Sequence, residues 1–246
     1  MSRTLIYAHR GANKEAAENT RTAFDAALGY AIDGMETDIQ LSRDELGVLW
    51  HDDDLAKLGM SVKRIEDFDY AQLRSMNFAS HFAGAAAEGV MSLREFITAY
   101  RVRCSLLLEI KRYPGEPEKR QQIKIRQTLA LAGIPEGDRV LVSSFDLESL
   151  IYAHHIAPDF PLVLNLEPEH DAALAQRMLD QHPYLRGLCV HRTTLNTAMM
   201  RAVRECGKLI AVYTCNTDQD IRNVLKLGVD ILISDVPQKA LQMRDE

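Results

Sequence analysis

Three short stretches within the first 52 residues carry side chains that could do chemistry together: His9-Arg10-Gly11, Glu36-Thr37-Asp38 and His51-Asp52. In a β-strand alternate side chains share a face, so Glu36 and Asp38 would lie side by side, close enough to hold one cation. Glu109-Ile110-Lys111 repeats the spacing, adding a third carboxylate and placing a lysine on its face. Three carboxylates suit a hard, oxygen-seeking ion such as Mg²⁺ or Ca²⁺ at about 2.0 to 2.6 Å. The competing reading is that they serve as ordinary ion-pair partners of Arg10 and Lys111.

His9 and His51 add two groups that can give and take protons near neutrality. A phosphodiester needs both operations: one group deprotonates the attacking oxygen and another protonates the leaving alkoxide, while cations stabilise the charge gathering on the phosphoryl oxygens. Arg10 could clamp two of those oxygens with its planar fork, and Lys111 could supply a point charge. The pattern therefore points to metal-assisted phosphodiester cleavage. His81, His154, His155, His170 and His182 fall in expected helices or loops without ligand spacing, and His191 ends a strand without an obvious partner. Trp50, the single tryptophan, and Tyr213 read as core or pocket-wall aromatics, with Tyr213 placed to touch substrate.

The elements that must position these groups are legible as β-rich apolar runs near 4–9, 34–40, 104–111, 139–145, 161–166, 187–191, 208–215 and 231–235. Helical spacing falls between them at 20–31, 118–132, 147–156, 171–181, 196–206 and 218–227, with Asn19, Asp146 and Asp218 in place as N-caps. Strand and helix alternating in this way predict a closed parallel (β/α)8 TIM barrel, whose reactive groups belong at the C-terminal strand ends. The exception is 42–91, an insertion too long for one connection. It should open with a hairpin turn at Asp44-Glu45-Leu46-Gly47 whose return strand carries His51 over the barrel mouth, then continue as a short helix and irregular chain. One domain spanning 1–246 is the simplest account.

Composition narrows the partners. With 29 Lys and Arg against 35 Asp and Glu, the chain is acidic, which argues against nucleic acid as a partner. No apolar stretch approaches the roughly 18 residues of a membrane helix, so stable membrane insertion is not expected. The four cysteines show no metal-cluster or disulfide spacing, and the N-terminus lacks a signal-peptide core, so a cytoplasmic location is expected.

Taken in order, His9-Arg10-Gly11, Glu18-Asn19-Thr20, Gly34-Met35-Glu36-Thr37-Asp38, His51-Asp52, Leu108-Glu109-Ile110-Lys111, Val142-Ser143-Ser144-Phe145, Tyr213-Thr214-Cys215-Asn216 and Ser234-Asp235-Val236-Pro237 resemble the glycerophosphodiester phosphodiesterase family along the whole chain. The resemblance implies a (β/α)8 barrel that hydrolyses glycerophosphodiesters to glycerol 3-phosphate and an alcohol with a divalent cation. It implies His9 and His51 as general acid and base, Arg10 and Lys111 as phosphate clamps, and Glu36, Asp38 and Glu109 as metal ligands. The family's Arg-Thr-Thr stretch after the second histidine is replaced by Leu55-Ala56-Lys57-Leu58-Gly59-Met60, its Ile-Pro-Thr-Leu by Val90-Met91-Ser92-Leu93, and its tryptophan near the seventh strand end by Tyr213. These departures bear on substrate preference more than on chemistry. Small water-soluble esters such as glycerophosphocholine or glycerophosphoethanolamine are the expected substrates. A phospholipid or lysophospholipid on the same barrel is the alternative, and a non-enzymatic metabolite-binding barrel is a third reading that the presence of His9, His51, Glu36, Asp38 and Glu109 disfavours.

Overall fold

In the computed structural model, which describes residues 3–133 and 139–246, the chain alternates strand and helix around a closed ring. The strands are β1 (Leu5–His9), β2 (Gly34–Leu41), β3 (Gly47–Leu49), β4 (Ser105–Ile110), β5 (Val140–Ser144), β6 (Leu162–Asn165), β7 (Gly187–His191), β8 (Leu209–Tyr213) and β9 (Ile231–Ser234). Eight are parallel staves, and β1 closes the ring by pairing with both β2 and β9; β3 lies outside it, antiparallel to β2 as the hairpin predicted. The eight expected strands agree with the observed staves to within two residues at each end.

Side-chain alternation divides the staves into two apolar layers. Outward-facing Ile6, Met35, Leu106, Leu108, Val142, Leu164, Val190, Val212 and Leu232 pack against the helix ring, while Tyr7, Leu107, Leu141, Val163, Cys189, Ala211 and Ile231 plug the barrel interior. Staves buried on both faces read as continuous apolar runs, which is why the sequence pattern found them. The plug forces one glycine. A Cβ on Gly34 would sit 2.5 Å from ring carbons of Tyr7 on the neighbouring stave, so only a hydrogen fits there.

The helices are α1 (Arg21–Leu28), α2 (Tyr70–Ser75), α3 (Leu93–Tyr100), α4 (Glu118–Ala132), α5 (Leu147–Ile156), α6 (Ala172–Gln181), α7 (Thr197–Glu205), α8 (Asp218–Leu227) and α9 (Pro237–Asp245). Asp146 caps α5 as expected, accepting from Ser149 N at 2.9 Å. Two caps differ from expectation. Thr20, not Asn19, caps α1 by accepting from Ala23 N at 3.2 Å, and Thr217, not Asp218, caps α8 by accepting from Asp220 N at 3.1 Å. In each case a threonine adjoins the favoured amide or acid, and backbone geometry selects the hydroxyl. Helix α3 carried an overlooked signal in its capping box, Ser92 with Glu95.

The insertion has a core of its own. Trp50 packs edge-on against Phe78 at 5.2 Å, among Val48, Leu55, Ile65, Leu73 and Val90. Trp50 N also donates to Asp38 O at 3.1 Å, and Gln40 Nε2 donates to Trp50 O at 3.1 Å and Asp52 O at 2.8 Å. Residues 50–52 are thereby fixed against β2, and His51 between them is aimed at the barrel mouth. Among the described residues no helix is long and apolar enough to cross a membrane.

Candidate active site

Strand register assembles the site. Parallel pairing sets His9 beside Glu36 across β1 and β2, and Asp38 beside Glu109 across β2 and β4. Because alternate residues share a face, Glu36, Asp38, Glu109 and Lys111 all turn inward above the apolar plug. One carboxylate oxygen from each of Glu36, Asp38 and Glu109 lies within 4.8 Å of the others. Glu36 Oε2 and Asp38 Oδ1 are buried and accept no hydrogen bond, while buried Glu109 Oε1 has Lys111 Nζ beside it at 2.9 Å. Burial first, then the neighbouring Asp38 and Glu109 charges, push the Glu36 carboxyl well above the ordinary range. Three convergent acids, one of them costly to ionise as it stands, are what a hard divalent cation would relieve. The residues fit such an ion.

The ion-pair reading is realised alongside it. Arg10 Nε lies 2.9 Å from Asp38 Oδ2, and Lys111 Nζ lies 2.9 Å from Glu109 Oε1 and 3.9 Å from Asp38 Oδ1. Burial opposes the Asp38 charge, yet Arg10, His51 and Lys111 together hold this carboxyl below its usual range. Burial likewise opposes the Lys111 charge, but Glu109 and Asp38 raise the ammonium above its ordinary value. Both cations therefore stay charged at the edge of the acid cluster, where phosphoryl oxygens would meet them.

Each histidine is backed by an aspartate. His9 Nδ1 sits 2.6 Å from Asp235 Oδ1, and its Nε2 sits 3.8 Å from Glu36 Oε2. His51 Nδ1 sits 2.7 Å from Asp52 Oδ1. A carboxylate can only accept, so each ring carries its proton on Nδ1, and His9 turns Nε2 toward Glu36. Burial and the adjacent Arg10 lower the His9 pKa, and Asp235 offsets only part of this. Asp235 is held below the usual carboxylate range by His9, Asn13 and Lys14, against the opposing effect of its burial. Asn13 Nδ2 and Asn216 Nδ2 each donate to its carboxylate at 2.7 Å.

The turn from Arg10 to Thr20 ties these pieces together. Arg10 and Asn19 both adopt left-handed backbone, each with φ 57°, and Asn19 N donates to Arg10 O at 3.1 Å. Gly11 continues the turn at φ 84°, and a Cβ there would lie 2.6 Å from the Ala23 backbone. Asn19, freed from capping, donates to Asp38 Oδ2 at 3.1 Å and accepts from Thr37 Oγ1 at 2.8 Å, which orients the central acid. Arg10 Nη1 also donates to Glu18 at 3.2 Å, Glu18 meets Lys57 at 2.7 Å, and Lys57 meets Asp52 at 2.9 Å. An unbroken chain of alternating charge thus runs from Asp38 to His51. Lys57 stands in the stretch where the resemblance showed a departure.

All the predicted groups but one meet in this cluster. Tyr213 stands at its edge, donating to Leu166 O at 2.7 Å, with its ring edge-on to Phe145 at 5.8 Å. It lines a cavity of about 180 Å³ with His9, Arg10, Glu36, His51 and Asn165. Asn165 Nδ2 donates to Glu109 Oε2 at 3.1 Å. His191 does have a partner, Thr193 Oγ1 at 2.7 Å, and takes no part in the cluster. Sequence reasoning missed the roles of Asp235, Asn13, Asn19, Asn216 and Lys57. A polar residue at a strand end was the available sign for Asp235.

Comparison with known proteins shows the family. A model of the glycerophosphoryl diester phosphodiesterase family matches residues 9–239, from the first histidine to the last helix. The chain belongs to that family. A glycerophosphodiester phosphodiesterase of Bacillus altitudinis is 31% identical, with 99% of each chain covered. One of Bacillus subtilis strain 168 is 26% identical, covering 96% of this chain and 84% of that protein. Among solved structures, an Oleispira antarctica phosphodiesterase in complex with the product sn-glycerol-3-phosphate superposes with a TM-score of 0.85 at 25% identity, covering 99% of this chain and 98% of the other. The glycerophosphodiester phosphodiesterase of Agrobacterium tumefaciens shares the fold at TM-score 0.79 and 23% identity, with 97% and 99% covered. This phosphodiesterase family member thus keeps the barrel of these relatives, with the acid and histidine cluster at its mouth.

Proposed function

We propose that the protein hydrolyses small glycerophosphodiesters to glycerol 3-phosphate and an alcohol, with a divalent cation, Mg²⁺ or Ca²⁺, held by Glu36, Asp38 and Glu109. The observation that carries this reading is the convergence of those three acids, two of them buried, beside two aspartate-backed histidines. When bound, the cation would supply Lewis-acid stabilisation of charge developing on the phosphoryl oxygens. Arg10 and Lys111 would stabilise the same charge from the rim of the cluster.

Proton traffic falls to the histidines. With Nδ1–H committed to Asp235, neutral His9 offers the Nε2 lone pair to the attacking water, whose oxygen bonds to phosphorus as the ester alkoxide leaves; its lowered pKa keeps it in that form at neutral pH. His51, whose protonated ring would be paired with Asp52, gives a proton to the departing alkoxide. The assignment follows the cavities. His9 faces only the smaller one, beside Tyr213 and Asn165, whereas His51 also faces a larger and more open cavity where the leaving alcohol has room to go. Each transfer contributes about 10²- to 10⁴-fold in rate. The insertion places His51, not an apolar membrane probe, over the mouth, so water-soluble esters fit better than lipids.

The test is direct. Purified protein is incubated with a panel of glycerophosphodiesters in Mg²⁺, Ca²⁺, Mn²⁺ or EDTA, and glycerol 3-phosphate is measured enzymatically. Release only with metal supports the proposal; release that survives exhaustive chelation contradicts the role given to the acids.

A further inference from the structure

The side chains of His51 and Asp52 are 33% and 29% exposed, so the main-chain bonds that fix residues 50–52 leave both room to turn. A proton donor must be held more closely than that, because a displacement of about 1 Å at a reacting group can cost about 10²-fold in rate. The holding group lies one step further out. Asp52 meets His51 Nδ1 through Oδ1 at 2.7 Å, and its other oxygen, Oδ2, meets Lys57 Nζ at 2.9 Å. The same ammonium lies 2.7 Å from Glu18 Oε1. Lys57 thus joins acids from different parts of the molecule: Asp52 belongs to the insertion, and Glu18 to the turn after β1, where it also pairs with Arg10.

The lysine is built into its place. It lies in a single helical turn, Ala56–Leu58, preceded by Leu55, which is buried in the insertion's core, and started by Ala56 N donating to Asp54 Oδ1 at 2.8 Å. Its ammonium sits over the Trp50 ring, 5.8 Å from the centroid. Burial disfavours the charge, yet Glu18 and Asp52 outweigh it and raise the ammonium above its ordinary range. Without that cation, two carboxylates would be left facing each other. Asp52, the more exposed of the two, would turn toward water and release the imidazole. Neither Lys57 nor Asp52 is among the described residues that line the two cavities, so Lys57 reaches the reaction through His51 and not by touching the ester.

We propose that Lys57 is a positioning residue for the leaving-group proton, locking Asp52 to Glu18 and so keeping the His51 ring aimed at the barrel mouth. Its role rests on the proposed reading of His51 as general acid and adds the side chain that holds the acid in place. The defect on removing it should be selective. Outer partners of working side chains in metal sites contribute about 10- to 100-fold, and here the loss should fall only on esters whose departing alkoxide needs a proton.

The test measures glycerol 3-phosphate released from glycerophosphocholine and from the p-nitrophenyl ester of glycerol 3-phosphate, whose alcohol leaves without a proton. Wild type is compared with Lys57→Met, Lys57→Gln, Lys57→Arg, Asp52→Asn and the double variant Lys57→Met, Asp52→Asn, each checked by a thermal melt. Lys57 is 35% exposed, so its replacement should leave the fold intact. In Lys57→Met and Lys57→Gln the ratio of choline-ester to nitrophenyl-ester kcat should fall about 10-fold or more below wild type. Lys57→Arg, which can still bridge the two acids, should restore most of that ratio. In the Asp52→Asn background Lys57→Met should change the ratio little further, because it acts through that carboxylate. Folded Lys57 variants that slow both esters equally, or neither, overturn the inference and leave the hydrolase reading intact, as do fully additive effects of the two substitutions. Absence of glycerol 3-phosphate from both esters with the wild-type protein overturns the hydrolase reading, and this inference with it.

Discussion

Replacing Asp235 by Asn tests whether the aspartates behind the histidines work by fixing a tautomer. The substitution keeps the size of the side chain but removes a charge-assisted hydrogen bond of 2.6 Å to His9 Nδ1. It also lets an amide N–H face that nitrogen, which favours the tautomer with its proton on Nε2 and no lone pair for the attacking water. Hydrogen bonds to a charged group contribute about 1.5 to 3 kcal/mol. At 1.36 kcal/mol per tenfold change in rate, kcat should fall by about 10- to 100-fold. KM should change little, because Asp235 faces His9, Asn13 and Asn216, not the cavities. There is a pH signature. Asp235 raises the His9 pKa, so removing its charge lowers that pKa further below 6.5 and moves the acidic limb of kcat/KM to lower pH. The assay is a kcat and kcat/KM profile from pH 4.5 to 9, with a thermal melt to show that the variant is folded. A folded variant with wild-type kcat, or an acidic limb displaced upward, would refute the tautomer argument.

Three further outcomes are expected. His51→Ala should lose about 10²-fold or more on choline esters yet recover most of its rate on a p-nitrophenyl ester, whose leaving group needs no proton, whereas His9→Ala should stay slow on both; equal recovery by both variants would overturn the assignment of acid and base. Metal should stabilise the fold in a pH-dependent way, because the raised Glu36 pKa costs the metal-free protein stability as pH rises above about 4.5, where the unfolded carboxyl ionises. A cation at about 100 times its dissociation constant adds about 2.7 kcal/mol, or about 5 to 10 °C in Tm, and the increment should shrink toward pH 5 and vanish in Glu36→Gln. Gly34→Ala should destabilise the barrel by about 1 to 3 kcal/mol, since its methyl would meet the Tyr7 ring at 2.5 Å, and the smaller Tyr7→Leu should restore part of the loss in denaturant titrations.

What the sequence revealed and what it concealed divide along one physical line. Period-two alternation is local, so the inward sharing of Glu36 with Asp38 and of Glu109 with Lys111 could be read from spacing, as could the hairpin that returns His51. The apolar runs of the staves were equally local. Contacts made by closing the ring were not. Asp235 reaches His9 across 226 positions because β9 closes against β1, and no spacing encodes that meeting. Asn19 was misread as a cap because its side chain could serve equally well there; a left-handed backbone carries it back to Asp38 instead. The insertion concealed its core for a similar reason: Trp50, Leu55, Ile65, Leu73 and Phe78 follow neither helical nor strand period, and only the folded loops bring them together.

Anomalous diffraction from crystals grown with Mn²⁺ tests the central claim most directly. A single strong peak is expected about 2.0 to 2.6 Å from one oxygen each of Glu36, Asp38 and Glu109, with the Nε2 atoms of His9 and His51 facing it from either side. A peak held by other residues, or no peak with these carboxylates still paired to Arg10 and Lys111 at saturating metal, would contradict the account.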